Sequence, residues 1–521
     1  MESLRVRERR LVQDRRVSDR ALRIAIVGAG PAGFYAAGHL LEGPAGTLLD
    51  GRRTHLVDRP VEVDVFERLP TPFGLVRHGV APDHPDKKSV AAMFADVAAR
   101  AGFRYFGNIV VGMDVNHAEL AEWYDAVIYA TGAADNARLG LPGEDLPGSL
   151  AANEIVGWYN GHPDYGDLAV DMSHHRAIVI GTGNVALDVA RILLTPVDTL
   201  ARTDIADQAL KALRDSAIRE VVLLGRRTQH DLACNAPELE ALGDLPGTDL
   251  VVENGDEASG IDALGPAQRR RMEIVQGYAQ RGGHGRERRL VFRFHTAPVA
   301  IRGDDRVTGL RISHTDNSGE PLTTSGVEEI LDTGLVVRAI GYRGSTLPGL
   351  PFDTQRGTIP HLDGRVVDDS VIVPGTYVAG WIKRGPRGII GTNKKCARDT
   401  VRALLADAAA GILPTASTLT SMEVESRLRQ RNPRLVDWDA WLRLERHELA
   451  AGQLAGRPRV KITTYADQLS VAVDAPPRSP LASDLKPTAT VVPAQRATPR
   501  GLVGTIIDEL WSRVSRVGSR R

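Results

Sequence analysis

Residues 22–33 read LRIAIVGAGPAG, and residues 34–41 continue as FYAAGHLL. Leu22–Val27 is a short apolar run rich in β-branched residues, which reads as a buried strand. Gly28, Gly30 and Gly33 then fall in the G-x-G-x-x-G spacing, and a helical stretch runs from Phe34 to Leu41. The first glycine allows a tight turn, the second a close approach of the backbone to a pyrophosphate, and the third close packing of helix on strand. The helix N-terminus then faces the phosphate charge. A second strand, Val61–Phe66, closes on Glu67. A carboxylate there binds a ribose hydroxyl pair; the alternative is a solvated strand-end acid. Residues 42–60 read as a polar, Gly-rich insertion, which delays Glu67 beyond the usual spacing of about 20 residues. A further strand, Ala126–Ala130, leads into Thr131-Gly132.

The pattern occurs a second time. Ala177–Ile180 (AIVI) runs into Gly181-Thr182-Gly183-Asn184-Val185-Ala186, then a helix through Leu194 and a strand at Glu220–Leu224. Here the strand ends in Gly225-Arg226-Arg227, where an acid would select NAD. Paired guanidiniums suit the 2′-phosphate of NADP through bidentate, charge-assisted hydrogen bonds; the alternative is an exposed pair without a ligand. Two dinucleotide sites in one chain imply electron transfer between two cofactors, with a flavin resident at the first. Such chemistry depends on ring stacking more than on an acid–base triad.

The expected fold is therefore α/β, with two Rossmann-type dinucleotide-binding domains in a glutathione-reductase-like pair. A charged arm occupies residues 1–21. The FAD-binding domain spans 22–134 and resumes at 341–462, where TYVA (376–379), Gly380-Trp381, a Gly-rich loop and a helix near Lys394–Leu405 complete it. The NADP-binding domain lies between, at 135–340. Residues 463–521 form a Pro/Ser/Ala-rich disordered linker and a short amphipathic helix, given the helical spacing of Leu502, Ile506, Leu510 and Trp511.

Composition removes several function classes. The 521 residues correspond to about three compact units. Lys plus Arg and Asp plus Glu both number 65, which excludes a broadly basic nucleic-acid binder. No apolar run reaches the ~18–20 residues of a membrane span. Cys234 and Cys396, the two cysteines, form no C-x-x-C pair and no metal-ligand spacing, so a C-x-x-C dithiol redox centre is excluded and no metal is expected. The Arg-rich residues 2–20 lack the apolar core of a secretory signal and carry interleaved acids, so they read as a solvated arm; the alternative is an organelle targeting signal. The expected location is the cytoplasm.

Several long stretches carry a family resemblance: LPTPFGLVRHGVAPDHPDKKSV (69–90), YDAVIYATGA (124–133), LPGEDLPGSLAANEIVGWYNGHPDY (141–165), IGTGNVALDVARILL (180–194), LVVRAIGYRG (335–344) and YVAGWIKRGPRGIIGTNKK (377–395). Over roughly residues 22–462 the chain resembles adrenodoxin reductase and the bacterial ferredoxin–NADP reductases of that kind. The resemblance implies tightly bound FAD, NADPH as donor and a small iron–sulfur ferredoxin as acceptor. It implies FAD contacts from Ala32, Glu67, Leu75, Val111, Trp381, Gly388, Ile389 and Ile390. It implies NADP contacts from Thr182, Gly183, Asn184, Val185, Arg226, Arg227, Glu238 and Gly388. His84, in Asp83-His84-Pro85, matches a family histidine near the nicotinamide, where it and Glu238 have supporting catalytic roles. One departure stands out: Thr228–Asn235 differs from the family's usual run after the arginine pair, which bears on nicotinamide approach.

Docking of an acidic ferredoxin requires a basic patch. Lys383, Arg384, Arg387, Lys394 and Lys395 are candidates, as are Arg202, Lys211, Arg214 and Arg219. The terminal helix is a further docking element. Two other functions use the same glycine motifs: a non-catalytic nucleotide sensor, which would bind NADPH without bleaching its flavin, and a flavin monooxygenase.

Overall fold

A computed structural model describes residues 20–41, 45–47, 53–55, 59–255, 264–322, 328–417 and 419–474. The charged arm up to residue 19 and the linker and terminal helix from residue 475 lie outside the described residues.

Leu22–Val27 is an interior strand of a seven-stranded sheet. Its order is His361–Leu362, Arg365–Asp368, Val371–Val378, Ala126–Tyr129, Leu22–Val27, Val61–Glu67 and Phe103–Gly107. Leu22–Val27 pairs in parallel with Val61–Glu67 on one side and Ala126–Tyr129 on the other. Buried on both faces, a parallel strand has no polar side to show, which is why LRIAIV reads as a continuous apolar run. The helix after the glycine turn begins at Pro31 rather than Phe34. Proline at the first helical position loses no hydrogen bond, so it starts the helix. Phe34 from this helix stacks on Phe94, while Phe73 meets Trp441 edge-on, so the few aromatics concentrate under the first glycine motif. The insertion expected as a loop contains a short antiparallel pair, Ala45–Thr47 with Arg53–His55.

The second sheet has six parallel strands, in the order Thr248–Glu253, Arg288–Arg293, Glu220–Leu224, Arg176–Ile180, Leu335–Arg338 and Ser149–Ala151. It has its own core, in which Leu187, Leu194, Val221 and Phe292 are fully buried. A small antiparallel sheet of Thr296–Arg302, Gly309–His314 and Glu328–Asp332 adds to it. The sequence did not announce this third sheet.

After the second sheet the chain returns to the first through Val371–Val378, which pairs in parallel with Ala126–Tyr129. The closing helix runs from Ile390 to Ala409, four residues ahead of the expected start. It lies against the first glycine helix, where His39 Nε2 is 3.2 Å from Lys394 O.

Residues just beyond 462 differ from the expected linker. Tyr465–Leu469 is helical and leads into a π-helical turn to Asp474. Leu469 and Ala472 are buried in the first core, and the Ala472 carbonyl accepts from Arg443 Nη2 at 2.7 Å. A chain ending at Ile462 should therefore melt several degrees below one ending at Asp474. The lost Leu469 burial alone is worth about 1.5–3 kcal/mol. Equal melting temperatures would show that 463–474 contributes nothing to the core.

Candidate active site at two dinucleotide turns

At the first turn, Gly28 has φ +109°, and a Cβ there would lie 2.5 Å from Ala130 O. A Cβ on Gly33 would overlap Gly28 O. Gly30 is different: a Cβ would meet no protein atom within 4 Å. Two of the glycines are thus required by the protein's own packing, and the third faces open space. This is the shape of a backbone cradle for a pyrophosphate.

Of the expected FAD residues, the structure brings Ala32, Glu67 and the segments beside Leu75 and Trp381 close to this turn. Gly74, just before Leu75, approaches Gly30: its Cβ would be 3.0 Å from Gly30 Cα. Leu75 itself is exposed on the short helix Leu75–His78. Glu67 accepts the backbone N–H of Ala29 at 3.0 Å and of Leu69 at 3.1 Å. Burial pushes its carboxyl up, and the N–H groups of Leu69 and Ala29 and the Arg68 charge oppose the shift. Ile109 N donates to Glu67 O at 3.0 Å, which brings half-buried Val111 to the same end of the sheet. From the returning segment, a Cβ on Gly380 would be 2.6 Å from Ala32 Cβ. The next residue, Trp381, stacks on Tyr342 with ring centroids 5.9 Å apart, and its buried indole Nε1 has no hydrogen-bond partner. Gly388 and Ile389 are exposed beside the N-terminus of the Ile390–Ala409 helix. Those residues fit a flavin dinucleotide: an open glycine, a strand-end carboxylate, an orphaned indole donor and a helix N-terminus converge.

The second turn repeats the logic. A Cβ on Gly181, at φ +124°, would overlap Ala339 O, while one on Gly183 would meet nothing within 4 Å. Ala186 is fully buried in the third position. Thr182, Asn184 and Val185 are half-buried along the turn. Arg226 and Arg227 are exposed at the end of the adjacent strand. The third sheet supports them: Thr315 Oγ1 donates to Arg226 O at 2.6 Å, and Arg227 Nε donates to Ser318 O at 3.1 Å. Exposed guanidiniums beside an open glycine fit the 2′-phosphate of NADP.

Between the turns, His84 Nε2 lies 3.6 Å from Glu238 Oε2 and 3.6 Å from Asp188 Oδ1. Asp188 pairs with Arg191 at 2.8 Å, and Lys87 pairs with Glu238. Burial pushes the Asp188 carboxyl up, but His84 and Arg191 outweigh it and hold the group below its ordinary range. His84, Asp188 and Glu238 are the only described trio spaced to hold a metal ion. Lys87 and Arg191 already neutralise the two carboxylates, so the cluster is organised as ion pairs. The divergent segment Thr228–Asn235 packs beside it, with Leu232 and Cys234 buried and the Cys234 thiol pushed up to about 11 by burial. Asn235 N donates to Asn184 Oδ1 at 2.8 Å and leads into the helix Ala236–Ala241 that carries Glu238.

Asp188 and Arg191 were not among the residues read from the sequence. Their signal was present: an acid and a base three residues apart in an otherwise apolar helix, VALDVARILL. Of the basic docking candidates, Lys383 is engaged with Thr400, and Arg384 with Asn393 and Arg387 O. Arg219 bonds Ser216 O and Ile218 O. Arg387, Lys394, Lys395, Arg202, Lys211 and Arg214 remain exposed.

Two histidines meet nearby. His78 and His162 have ring centroids 4.8 Å apart. Burial lowers both, His162 to about 4 and His78 well below its ordinary value. The unfolded chain therefore binds more protons than the folded one between about pH 6.5 and 4. Stability should be full above pH 6.5 and fall on acidification through that window, by about 3 kcal/mol for His162 at the limit. Thermal melts from pH 7.5 to 4.5 should show His162→Gln losing part of that acid sensitivity; an unchanged profile would contradict it.

Two sheets, each opening on a glycine turn, one ending in a carboxylate and the other in an arginine pair, define a two-dinucleotide flavoprotein reductase. Comparison with known proteins agrees. Residues 22–228 match the pyridine nucleotide-disulphide oxidoreductase family model. NADPH-ferredoxin reductase FprA of Mycobacterium tuberculosis (strain H37Rv) is 46% identical over 466 residues, covering 86% of this chain and 99% of that protein. The mitochondrial NADPH:adrenodoxin oxidoreductase of Salvelinus fontinalis is 38% identical over 470 residues, covering 86% of this chain and 91% of that protein. A solved structure of M. tuberculosis FprA in complex with NADPH superposes with a TM-score of 0.79 at 46% identity, covering 87% of this chain and 100% of that one. The chain belongs to the NADPH–ferredoxin reductase family.

Proposed function

We propose that this chain is an FAD-containing NADPH–ferredoxin reductase that takes electrons from NADPH and delivers them to a ferredoxin-type iron–sulfur protein. The observation that carries the reading is the pair of open glycines, Gly30 and Gly183, on two turns with opposite strand-end chemistry, Glu67 at one and Arg226-Arg227 at the other. FAD, when bound, supplies the conversion of a two-electron donor into a one-electron donor. Gly30, Ala32 and Gly33 would bring backbone N–H groups to its pyrophosphate, Gly28, whose own N–H is held by Phe66 O at 2.8 Å, makes the turn that presents them, and Glu67 would accept from its ribose. Leu75, Val111, Gly388, Ile389 and Ile390 border the ring, and the Trp381 indole donates into the site. Gly181 to Val185 seat the second pyrophosphate, and Arg226 and Arg227 take the 2′-phosphate. Gly388 lies where the two nucleotides adjoin. His84, flanked by Asp188 and Glu238, orients the nicotinamide and holds a proton at Nε2.

We divide the chain at 22–134, 135–340 and 341–462, with residues up to Asp474 added to the flavin half; the two separate sheets and the burial of Leu469 and Ala472 support this division. Exposed Arg387, Lys394 and Lys395 offer the acidic acceptor a basic surface beside the flavin loop. Among the described residues no helix is long and apolar enough to cross a membrane. We place the enzyme in the cytoplasm, in keeping with two unpaired cysteines.

The test is an anaerobic visible-absorption titration with NADPH, repeated with NADH. The flavin band should bleach stoichiometrically with NADPH and poorly with NADH. Bound flavin that stays yellow would replace the enzyme by a nucleotide sensor, and no flavin at all would undo the first site.

A further inference from the structure

The loop that carries His84 is pinned at both ends by the opposite half of the molecule. At its start, both oxygens of Asp83 accept from Arg191, at 2.7 and 2.9 Å. At its end, Lys88 Nζ donates to both oxygens of Asp204 at 2.7 Å and to Asn160 Oδ1 at 2.9 Å. Asp204 lies on the turn before the helix Asp207–Arg214, and Asn160 caps the helix Ala152–Tyr159; both belong to the nucleotide half built on the second sheet.

Asp204 takes a second ammonium. Lys461 Nζ, almost wholly buried, lies 2.9 Å from Asp204 Oδ2 and 3.3 Å from Asn160 Oδ1. Lys461 is part of a strap, residues 457–463, that touches both halves. Arg457 donates to Ile205 O at 3.1 Å and pairs with Asp207. On the flavin side, Glu448 accepts from Arg77 at 2.6 Å, from Ile462 N at 2.9 Å and from Arg459 at 3.4 Å. Burial pushes the Asp204 carboxyl up, yet Lys461 and Lys88 outweigh it and hold the group well below its ordinary range. Burial pushes both amines down, Lys461 well below its ordinary value, and Asp204 opposes the shift in each. A buried carboxylate bonded to both Nζ groups fixes both in direction, since either one released would lose its buried partner.

We propose that Lys88, held by Asp204 and the Lys461 strap, is a positioning residue that sets His84 and Lys87 against Asp188 and Glu238 before the nucleotide arrives. Lys88 is the last residue of the helix Pro85–Lys88, and His84 is its N-cap. A single helical turn therefore separates the anchor from the group it aims. Arg191 and Asp204 act as two fixed posts, and the His84 loop spans them. The inference rests on the functional reading above, because it assumes that the nicotinamide comes to His84.

The experiment is stopped-flow reduction of the full-length, FAD-loaded protein by NADPH, comparing the native chain with Lys88→Met and Lys88→Arg. Lys88→Met keeps the stem and removes the charge, leaving Lys461 and Asp204 paired. The expected result is a split: the limiting rate of flavin bleaching falls at least tenfold, while the NADPH concentration for half-maximal rate changes less than twofold. Lys88→Arg should restore most of the rate. Binding of NADP⁺ by calorimetry, which involves no turnover, should be unchanged in both variants. A Lys88→Met rate equal to that of the native chain overturns the proposal, as does a parallel loss of rate, nucleotide affinity and FAD. If Lys88→Met does not fold, Asp204→Glu, which moves the carboxylate by one methylene, must show the same split, and its absence overturns the proposal equally. A native chain that NADPH does not bleach at all would instead fell the functional reading.

Discussion

Gly30→Ala is expected to yield a folded protein that has lost its FAD. The new methyl group would meet no protein atom within 4 Å, so the flavin-free variant should melt within about 2 °C of the flavin-free native chain. It would, however, stand where the backbone must approach a pyrophosphate, and FAD affinity should fall at least a hundredfold. Gly33→Ala should behave in the opposite order. Its methyl group would overlap Gly28 O, and backbone cannot yield as a flexible side chain can, so the fold itself should fail. Flavin absorbance and calorimetry on both variants separate a ligand-facing glycine from a packing glycine. Stoichiometric FAD in Gly30→Ala would remove the cradle from the first turn.

The second large effect is expected from Arg226→Ala combined with Arg227→Ala. Each charge-assisted contact to the 2′-phosphate contributes about 1.5–3 kcal/mol, so losing both should cut the preference for NADPH over NADH by roughly 10²–10⁴-fold. Use of NADH should change only a few-fold, because NADH lacks the phosphate. Steady-state kcat/KM for the two nucleotides gives the ratio directly. An unchanged preference would take the 2′-phosphate away from these residues. The hairpin that carries Thr315, Ser318 and Gly319 explains why exposed arginines can discriminate: bonds to Arg226 O and Arg227 Nε direct both stems. A Cβ on Gly319 would lie 3.1 Å from Arg227 Cγ and 3.3 Å from Arg226 Cγ, so a side chain there would press on both stems, and the backbone, at φ +87°, favours glycine.

Much of this was legible in the chain because local periodicity and glycine spacing are local facts. Leu22–Val27, the two glycine turns, Glu67 and the arginine pair all lie within short windows whose pattern alone specifies strand, turn and helix. Element ends were read less well, and for identifiable reasons. Pro31 begins a helix although proline usually breaks one, and Ile390 begins another inside a stretch that reads as loop because of its glycines. The least legible features join residues far apart in sequence. Arg191 with Asp83, Lys88 with Asp204, and Lys461 with Asp204 are pairs that no spacing rule connects, since each exists only once the two sheets are side by side. Leu469 and Ala472 were missed similarly, because a short apolar stretch beside a Pro-rich run reads as linker until the core it covers is known.

The return of the chain to its first sheet has a consequence for how the enzyme is made. Leu22–Val27 emerges from the ribosome early, but its sheet lacks Val371–Val378 and the Ile390–Ala409 helix until most of the chain has been synthesised. The second sheet, from Ser149–Ala151 to Leu335–Arg338, is complete well before that. The nucleotide half can therefore fold while the flavin half waits with an unpaired strand edge at Ala126–Tyr129, exposed to whatever the cell holds. A nascent chain arrested before Val371 should hold the NADP half in protease-resistant form and capture no flavin. Cofactor loading is thus confined to the final stage of synthesis, when the returning strand closes on Ala126–Tyr129.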